Sequence, residues 1–366
     1  MFKNIESLKT KLGEHLLGSM ILSDKNLCVF EYAPEFLEDG FSISPFYLPL
    51  NQGVFTARPE PFGGLFGVFN DSLPDGWGRL LIDRYLQSKG ISINSLTVLD
   101  RLAIVGSKGM GALSYIPDNH IKTQSENDDL DFIANEVRKI LSEEENVSSI
   151  EQLAAQGGLS GGARPKVFIK HKKASWIVKF PSSMDPKSIG EIEYQYSVIA
   201  RKCGIEMTET ELLEGKYFAI KRFDREGQRR IHMHSAAGLL YADFRFPSLD
   251  YTELIKASLA LTKNIEEAHK LFRLMVFNVL TGNKDDHTKN FLFLFKDGKW
   301  QLSPAYDLVP SDGINGNHTT TINGKGNPSL DDMLSVAKNT GLNIKTAKDL
   351  FEEVYSNCST IRLKGW

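Results

Sequence analysis

The feature that most constrains the fold is a charged segment enclosed by two strongly apolar ones. Residues 265–280 contain the run LFRLMVFNVL, which is apolar nearly all round and therefore predicts a buried helix. The chain then passes directly through GNKDDHTKN (282–290) into FLFLF (291–295), which is again typical of a buried segment. Adjacent acids beside a core are costly unless partners hold them. Something in the fold must therefore keep these charges in place.

The bulk composition indicates an ordinary globular protein with more than one core. A chain of 366 residues exceeds what one hydrophobic core usually supports, so two or three domains are expected. Hydrophobic residues make up 41% and charged residues 24%, and the isoelectric point is near 6.3. This balance has no basic excess, so we expect no direct binding of nucleic acid by the chain itself. Any contact with DNA is expected to come through a partner.

The cysteines and the N-terminus indicate a cytoplasmic protein. Cys28, Cys203 and Cys358 lie far apart and show no CxxC or Cys/His ligand spacing, which argues against a zinc site and against a disulfide framework. Lys, Glu and His interrupt the apolar residues of the first 22 positions, and nowhere do 18 apolar residues follow one another. We therefore expect neither a signal peptide nor a membrane span.

The first third of the chain is predicted to be rich in strands. Between residues 16 and 115, short apolar runs alternate with Pro, Gly and Asp, as in strands and turns, and one helix is predicted at 79–87. The glycines of GSKGMGALSYIP precede a predicted strand, whereas phosphate-binding glycines normally open a helix, so a phosphate loop is disfavoured there. Residues 118–149 are polar and acidic around a helical stretch, which is typical of a connector.

The remainder changes from strands to helices. The motifs GGLSGGARPKVFIK and SWIVKFP predict two strands around a turn at 171–174, followed by a helix at 190–201, a strand at 212–223, and mostly helices beyond 225. We predict four parts, namely a β-rich subdomain (1–117), a connector (118–148), a part with a Gly-rich loop (149–224) and a helical lobe (225–366).

The charged segment has the spacing of a phosphoryl-transfer site. Asp285 and Asn290 stand in the pattern Asp-x-x-x-x-Asn, which in protein kinases supplies a catalytic base and a metal-binding carboxamide. Asp307 follows seventeen residues after Asn290, beyond a predicted hairpin whose turn is KDGK. A second metal-binding Asp follows such a hairpin in kinases. Of the two adjacent acids, Asp285 is the predicted base, and Asp286 and His287 are predicted to shape the loop.

The upstream half supplies the other parts of a nucleotide site in kinase order. The stretch GGLSGG contains four glycines, which let backbone N–H groups approach phosphate oxygens. Lys179 lies in an apolar strand, and Glu193 lies on the following predicted helix, as the Lys–Glu pair of kinases does. Each feature alone also fits a simpler interpretation: a flexible turn, a lysine that extends to solvent, a solvated acid, and a structural His287. Their order along one chain favours the kinase interpretation.

These residues carry a family resemblance that spans almost the whole chain. FSISPFYLPL, SLPDGWGR and GMGALSYIP, then GGARPK, VKFP and IKRFDR, and finally DDHTKNF and PAYDL resemble HipA-type serine/threonine kinases, the toxins of bacterial type II toxin–antitoxin systems. The most specific motif is DDHxKN followed by YD. The resemblance implies an α+β, protein-kinase-like two-lobed fold with a β-rich N-terminal subdomain and a mostly helical C-terminal lobe.

The resemblance also implies roles for individual residues. Asp285 matches the catalytic base, and Lys289 matches a residue that stabilises charge on the transferred phosphoryl group. Asn290 and Asp307 match the Mg²⁺ ligands. The ATP-binding positions, including the adenine-contacting segment KRFD, fall on Gly158, Ser160, Gly161, Gly162, Lys179, Glu193, Lys221, Phe223 and Tyr306. Ser160 is the candidate for autophosphorylation, although the family's serine position aligns with Leu159.

The same resemblance implies partners and a setting. It implies ATP and Mg²⁺ as cofactors, a protein substrate such as an aminoacyl-tRNA synthetase or another translation protein, and a role in bacterial persistence. A small HipB-like DNA-binding antitoxin is the implied partner, through which alone the chain would meet DNA. No membrane partner is implied.

Two other functions remain open from the sequence. In a metal-dependent phosphoesterase, Asp285, Asp286, His287 and Asp307 would chelate a divalent ion and activate water, but the glycine loop, Lys179 and Glu193 would then have no role. In a non-catalytic kinase-like binding module, one of the strand lysine, the catalytic Asp or the metal-binding Asp would normally be missing, whereas all three candidates are present.

Overall fold

The structure is a computed structural model that describes residues 4–123, 128–144 and 149–363. Two compact units are resolved: Met1–Glu191 with Thr210–His232, and Ile192–Glu209 with Met233–Trp366. The four-part division predicted from the sequence stays a prediction. Part of its connector, residues 124–127 and 145–148, lies outside the described residues, as do the last three positions of its helical lobe.

The first unit begins with an antiparallel sheet in the strand order β4-β3-β2-β1-β5. Leu8 and Thr10 of β1 are buried, and Lys9 between them is exposed, as expected for a strand with one face on a core. The sequence analysis assigned no strand before residue 16, so β1 is an addition to the predicted elements. The strands of this sheet are β1 Ser7–Leu12, β2 His15–Leu22, β3 Cys28–Tyr32, β4 Val54–Thr56 and β5 Leu113–Ile116.

Among the described residues, six α-helices belong wholly to the first unit. The predicted helix at 79–87 forms as α3, which starts three residues earlier, at Gly76, directly after Pro74 and Asp75. A capping box between Thr97 and Asp100 starts α4, because each side chain accepts a hydrogen bond from the backbone N–H of the other residue, which would otherwise lack a partner. The helices are α1 Pro34–Asp39, α2 Gly67–Asn70, α3 Gly76–Ser88, α4 Val98–Val105, α5 Leu130–Leu141 and α6 Ile150–Gly157.

The second sheet of this unit has the order β6-β7-β9-β8 and carries Lys179 and Lys221, two of the predicted nucleotide-binding residues. The two predicted strands around the turn at 171–174 form β6 and β7, whereas the single strand predicted at 212–223 is wrong. Glu214 (φ 50°) and Gly215 (φ 71°) turn the chain there, so the region is a hairpin. The strands are β6 Lys166–His171, β7 Ala174–Lys179, β8 Thr210–Leu213, β9 Tyr217–Lys221, and a small ribbon of β10 Arg225–Glu226 with β11 Arg229–Arg230.

One hydrophobic core joins this sheet to the neighbouring helices of the first unit. Trp77 and Leu81 of α3 and Leu153 of α6 are buried with Trp176 and Val178 of β7. The helix α5 contributes to the same core through its apolar face, Leu130, Ile133, Val137 and Ile140. Because a helix with such a face buries it against a core, α5 is an integral part of the first unit.

The second unit is mostly helical, as the sequence predicts beyond residue 225. The predicted buried helix at 265–280 is confirmed as α10, whose Leu271, Phe272, Met275 and Phe277 are fully buried in the core of this unit. Its helices are α7 Ile189–Lys202, whose first three residues belong to the first unit, and α8 Ala236–Leu240, α9 Tyr251–Thr262, α10 Ile265–Thr281, α11 Leu330–Thr340 and α12 Ile344–Asn357.

The predicted hairpin after the charged segment is also confirmed. Asp297 (φ 51°) and Gly298 (φ 77°) form its two-residue turn, in the left-handed conformation that such turns require. Phe291 and Phe293 are fully buried at its start. The strands here are β12 His232–Ser235, β13 Leu249–Asp250, β14 Leu292–Lys296, β15 Lys299–Leu302 and β16 Thr320–Thr321. No helix within the described parts of the chain is long and apolar enough to cross a membrane.

Candidate functional site

The predicted site residues fall into two groups, one in each compact unit. The first unit holds the Gly-rich loop, Lys179 of β7, and Lys221 and Phe223 at the end of β9. The second unit holds the group Glu193, Asp285, Lys289, Asn290, Tyr306 and Asp307.

The Gly-rich loop connects α6 to β6. Gly157 and Gly158 end the helix, so only Gly161 and Gly162 lie in the turn itself, and Gly162 has the left-handed φ of 83° that favours glycine. The hydroxyl of Ser160 donates a hydrogen bond to the Gly157 carbonyl over 2.6 Å, and Ser160 is only 1% exposed. The candidate modification site is therefore turned into the protein in this conformation of the loop.

Lys166, at the end of this loop, is a residue that the sequence analysis did not select. Its ammonium group donates to the Gly161 carbonyl over 2.6 Å, and it lies directly opposite Lys179 in the β6–β7 ladder. Lys166 thus places a second lysine on the strand beside Lys179. The pairing was available from the sequence, because a two-residue turn at Lys172 and Lys173 places residues 166 and 179 in register.

The other predicted residues of the first unit lie at the ends of strands. Lys179 is the last residue of β7, and its ammonium group is 5.6 Å from the centroid of the Phe218 ring. Lys221 is the last residue of β9 and pairs with Trp176. Phe223 follows it and is half-buried. The structure thus brings the loop and both lysines to one four-stranded sheet.

An ionic cluster surrounds the residue that follows Phe223. The carboxylate of Asp224 accepts hydrogen bonds from Arg222, from Arg225 and from the N–H of Gly111, at 2.6 to 2.9 Å. Burial alone would raise the pKa of Asp224, but the charges of Arg222 and Arg225 outweigh it and lower that pKa to about 2. Arg230 adds bonds to the carbonyls of residues 107, 109, 111 and 113. The segment after β9 is therefore firmly tied to residues 107–113.

In the second unit, the segment 283–290 presents one acid and buries the other. Asp285 is exposed, whereas Asp286 is 1% exposed. The amide nitrogen of Asn290 donates to the Asp285 carbonyl over 2.7 Å, which closes a short turn that includes the 3₁₀ residues Thr288–Asn290. Because that bond uses the nitrogen of the Asn290 side chain, the amide oxygen is the end left for a cation.

Asp286 is a structural acceptor. One of its oxygens accepts the backbone N–H groups of Thr319 and Thr320, at 2.9 and 3.2 Å. The other accepts the hydroxyl of Tyr251 over 3.0 Å and lies 2.9 Å from Nδ1 of His318. Burial, and then the charge of Asp286, raise the pKa of Tyr251 well above its usual value, so Tyr251 stays a neutral donor. This geometry agrees with the predicted loop-shaping role of Asp286.

Asp307 adopts an uncommon backbone conformation. Its φ is 58°, which a residue other than glycine rarely adopts, and such residues concentrate at functional sites. The hydroxyl of the preceding Tyr306 donates to the carbonyl of Lys289, so the two predicted site segments are directly bonded. The ammonium group of Lys289 lies 4.1 Å from the centroid of the Phe244 ring, a cation–π distance. Tyr306 thus contacts the segment that carries Asp285.

The donor set fits a hard cation. Asn290 and Asp307 offer an amide oxygen and a carboxylate, the ligands that Mg²⁺ takes when substrate phosphates and water complete its shell. In the described parts of the chain, no three His, Cys, Asp or Glu residues form a group that could hold a metal ion. The four-residue chelate of the phosphoesterase alternative, which needs Asp285, Asp286, His287 and Asp307 together, is therefore not formed.

Glu193 lies in α7 and is buried, at 3% exposure. A buried carboxylate needs a cation or hydrogen-bond donors. The ion pair with Lys179 predicted from the sequence stays a prediction.

Comparison with known proteins identifies the family. Residues 8–116 match the model of the HipA N-terminal domain, and residues 159–361 match that of the HipA-like C-terminal domain, which alone covers more than half of the chain. The "Putative kinase Y4dM" of Sinorhizobium fredii is 31% identical over 168 residues, 41% of each chain. The chain thus spans about two fifths of the length of that relative.

A solved structure extends the match to nearly the whole chain. The "Serine/threonine-protein kinase toxin HipA" of Shewanella oneidensis is 21% identical over 342 residues, covering 84% of this chain and 75% of the relative. The structure of the HipA, HipB and operator DNA complex from Shewanella oneidensis MR-1 contains a chain that matches with a TM-score of 0.73 at 18% identity, over 97% of this chain and 89% of that one. The predicted α+β HipA-like fold is confirmed, and the chain belongs to the HipA-like family.

Proposed function

We propose that this protein is an ATP-dependent protein serine/threonine kinase. The observation that carries the proposal is the difference in burial and hydrogen bonding between two adjacent acids. Asp286 is buried and bound by four donor groups, whereas Asp285 is exposed. Asp285 lies in a turn that the Asn290 side chain closes, and the Tyr306 hydroxyl binds the Lys289 carbonyl of the same segment. An exposed carboxylate beside a carboxamide and a second acid is the arrangement that phosphoryl transfer to a hydroxyl requires.

In the proposed reaction, Asp285 orients the hydroxyl of the acceptor and takes its proton as that oxygen attacks the γ-phosphorus of ATP in line. Asn290 and Asp307 would hold Mg²⁺, which neutralises charge on the phosphate oxygens when it is bound. Lys289 would stabilise the negative charge that spreads over the transferred group. The ammonium group of Lys289 makes a cation–π contact with the Phe244 ring. This contact orients the ammonium group without neutralising its charge.

The first unit would bind the nucleotide. Lys179 and its strand neighbour Lys166 form a pair of cations that a triphosphate would neutralise. Gly158, Ser160, Gly161 and Gly162 form the loop above these strands, and Lys221 and Phe223 would meet the adenine through the backbone. Glu193 would pair with Lys179, as in other kinases.

We also propose that Ser160 is an autophosphorylation site. The hydroxyl is buried against Gly157, so the loop must leave its present position before the oxygen can accept a phosphoryl group. The phosphate would add about two negative charges. Those charges would repel ATP phosphates from the same loop, so the modified protein is expected to be inactive.

The partners are proposed from the relatives. The Shewanella oneidensis structure contains HipB and operator DNA beside HipA, so a small HipB-like antitoxin is the proposed partner. A translation protein such as an aminoacyl-tRNA synthetase is the proposed substrate class, with the cytoplasm as the setting and growth arrest, or persistence, as the outcome of activity.

The test is phosphoryl transfer from γ-labelled ATP by the purified full chain and its Asp285→Ala variant. We expect label on protein with the wild type, and a loss of at least about 100-fold in the variant, since a general base contributes about that much. Binding of a fluorescent ATP analogue should change less than threefold, because Asp285 faces the acceptor. Phosphoproteomics after brief expression of the two forms would then identify the substrate.

Three outcomes would contradict the proposal. Transfer that persists in Asp285→Ala would remove the proposed base. Metal-dependent hydrolysis of a phosphoester without ATP, lost in the same variant, would favour a phosphoesterase. A kinase-like binding module predicts ATP binding with no transfer in either form.

A further inference from the structure

The motif SLPDGWGR has no role in the proposed chemistry, yet it packs directly against the Gly-rich loop. Residues 74–78 of this motif comprise the two residues before α3 and the first three residues of that helix. The motif and the loop both lie in the first unit. Trp77 is 2% exposed and belongs to the core beneath the loop. The contacts are specific enough to assign a role to the motif.

Three hydrogen bonds join the motif to the loop and to its exit strand. The carboxylate of Asp75 accepts the N–H of Gly162, and the N–H of Trp77 donates to the Gly162 carbonyl over 3.1 Å. The indole N–H of Trp77 donates to the carbonyl of Lys166 over 3.1 Å. Both backbone groups of Gly162 are thus held by the motif, and its N–H is directed towards Asp75.

The two glycines of the motif allow this close approach. A side chain on Gly76 would place its Cβ 2.7 Å from the Gly162 carbonyl oxygen and from Cα of Ala163. A side chain on Gly78 would collide with the carbonyl oxygen of Ser160 and would lie 2.9 Å from that of Gly158. Real Cβ atoms do not approach backbone this closely, so either substitution must push the loop away.

We propose that residues 74–78 are a clasp that positions the Gly-rich loop for nucleotide binding and keeps Ser160 buried. Asp75, Gly76 and Gly78 are positioning residues, since they act through the loop. The proposal rests on the proposed kinase function for its consequence, but the clasp itself is a property of the folded chain. Opening the clasp exposes Ser160 and withdraws the loop from the nucleotide.

The clasp can be tested without any catalysis by a thiol placed at the buried position. The Ser160→Cys variant of the full chain is treated with a maleimide, and the labelling rate at position 160 is measured by mass spectrometry. The three native cysteines are free but buried, so their labelling is expected to be slow. Labelling of the thiol at position 160 therefore reports how often the loop opens.

Gly78→Ala, added to Ser160→Cys, is the decisive variant. Gly78 has no left-handed φ and lies in the first turn of α3, where alanine by itself favours a helix, so the collision with the Ser160 carbonyl of the loop is the main obstacle to it. We expect labelling at least tenfold faster than in Ser160→Cys alone. Gly90→Ala is the matched control: Gly90 follows α3 with a φ of 75°, and an added Cβ there meets nothing within 4 Å. It introduces strain but no contact with the loop.

Asp75→Ala and Asp75→Asn test the polar half of the clasp. Alanine removes the acceptor for the Gly162 N–H and should also speed labelling, whereas the amide oxygen of asparagine can still accept and should restore at least half of the protection. If ATP is the substrate, Asp75→Ala should raise the KM for ATP and leave kcat at saturating ATP within twofold.

Equal labelling rates in the Gly78→Ala and Gly90→Ala backgrounds would overturn the proposal. If Gly78→Ala does not fold, the labelling rate in the Asp75→Ala background becomes the test. An unchanged labelling rate in that variant would also overturn the proposal. Faster labelling in a protein that transfers no phosphate would support the clasp while removing the kinase function, so the two proposals fail separately. A lower KM for ATP in Asp75→Ala would mean that Asp75 competes with phosphate and would also overturn the clasp.

Discussion

Asp285 and Asp286 show how two identical neighbouring residues acquire different roles. Successive side chains of the turn point in different directions, and only Asp286 meets the donors of Tyr251, Thr319 and Thr320. A buried carboxylate with several donors is costly to change, because the donors are left without an acceptor. Asp286 thus has a structural role, and Asp285 is the proposed base.

We predict that Asp286→Asn destabilises the protein by about 2–4 kcal/mol, since one carboxylate oxygen becomes an amide facing Tyr251 and His318. Asp285→Asn should change the free energy of unfolding by less than about 0.5 kcal/mol, because the residue is exposed. Urea unfolding measures both changes. Tyr251→Phe, which removes one donor, should fall between them at about 1 kcal/mol. A larger loss in Asp285→Asn than in Asp286→Asn would contradict this assignment.

At this scale the sequence predicts the types of residue but not all of their contacts. The pattern Asp-x-x-x-x-Asn followed by Asp predicts which positions carry the chemistry, and the role of Asp285 as the base stays a prediction. Lys166 was missed although the predicted turn at 171–174 already implies its pairing with Lys179, because its importance appears only when that register is followed along both strands. The acceptor of the Gly162 N–H was also not predictable, since Asp75 lies 87 positions away in the sequence.

At the scale of elements, the β6–β7 hairpin links the Gly-rich loop to Lys179 through an unfavourable turn. Lys172 (φ 48°) and Lys173 (φ 63°) both occupy the left-handed region, where Asn-Gly is the usual pair. Each such residue costs about 1 kcal/mol relative to glycine. The hairpin forms because Val167 and Trp176 are fully buried on its strands.

We therefore predict that Lys173→Gly raises the free energy of unfolding by about 1 kcal/mol. The measurement is the midpoint of urea unfolding, with phosphoryl transfer expected to stay within twofold. Lys170→Gly, on the adjoining strand of the same hairpin, is the control and should lower stability by about 0.5–1 kcal/mol, because glycine weakens a strand. Destabilisation by Lys173→Gly would show that the lysine contributes contacts at the tip that outweigh its strain.

Predictability at this scale follows the strength of the local pattern. Helix α10 and the β14–β15 hairpin were predicted well, because periodicity and turn residues agree with burial there. Strand β1 was missed because lysines interrupt its apolar residues, yet Lys9 lies on the exposed face of a one-sided sheet. The segment predicted as one strand at 212–223 contains a turn at Glu214 and Gly215, which becomes evident from the pairing of β8 with β9.

At the scale of the whole molecule, the ionic cluster at Asp224 joins the parts that match the two family models. Residues 107–113, in the N-terminal part, supply carbonyls and the N–H of Gly111, and Arg225 and Arg230 come from the C-terminal part. All of them lie in the first compact unit. The N-terminal part thus fixes the segment that directly follows Lys221 and Phe223, the residues at which the adenine is proposed to bind.

This cluster predicts a defined loss of stability in acid. The pKa of Asp224 is lowered from 3.8 to about 2 in the folded protein, because Arg222 and Arg225 favour the charged form against the cost of burial. The ionised Asp224 therefore stabilises the folded protein at pH values above the pKa that it has in the unfolded chain. This contribution to stability is lost as the pH falls from about 4 to about 2. The shift corresponds to about 2 kcal/mol.

The measurement compares the wild type with Asp224→Asn by urea unfolding between pH 6 and pH 3. Trp300→Phe and Trp366→Phe, present in both proteins, would limit the fluorescence to Trp77 and Trp176 of the first unit. The variant should be less stable than the wild type at pH 6, and this difference should narrow as the pH falls below 4, because only the wild type loses the ionised carboxylate. A difference that is constant over the whole range would mean that Asp224 stabilises the cluster through shape and hydrogen bonds alone, and that its charge contributes nothing to joining the two parts.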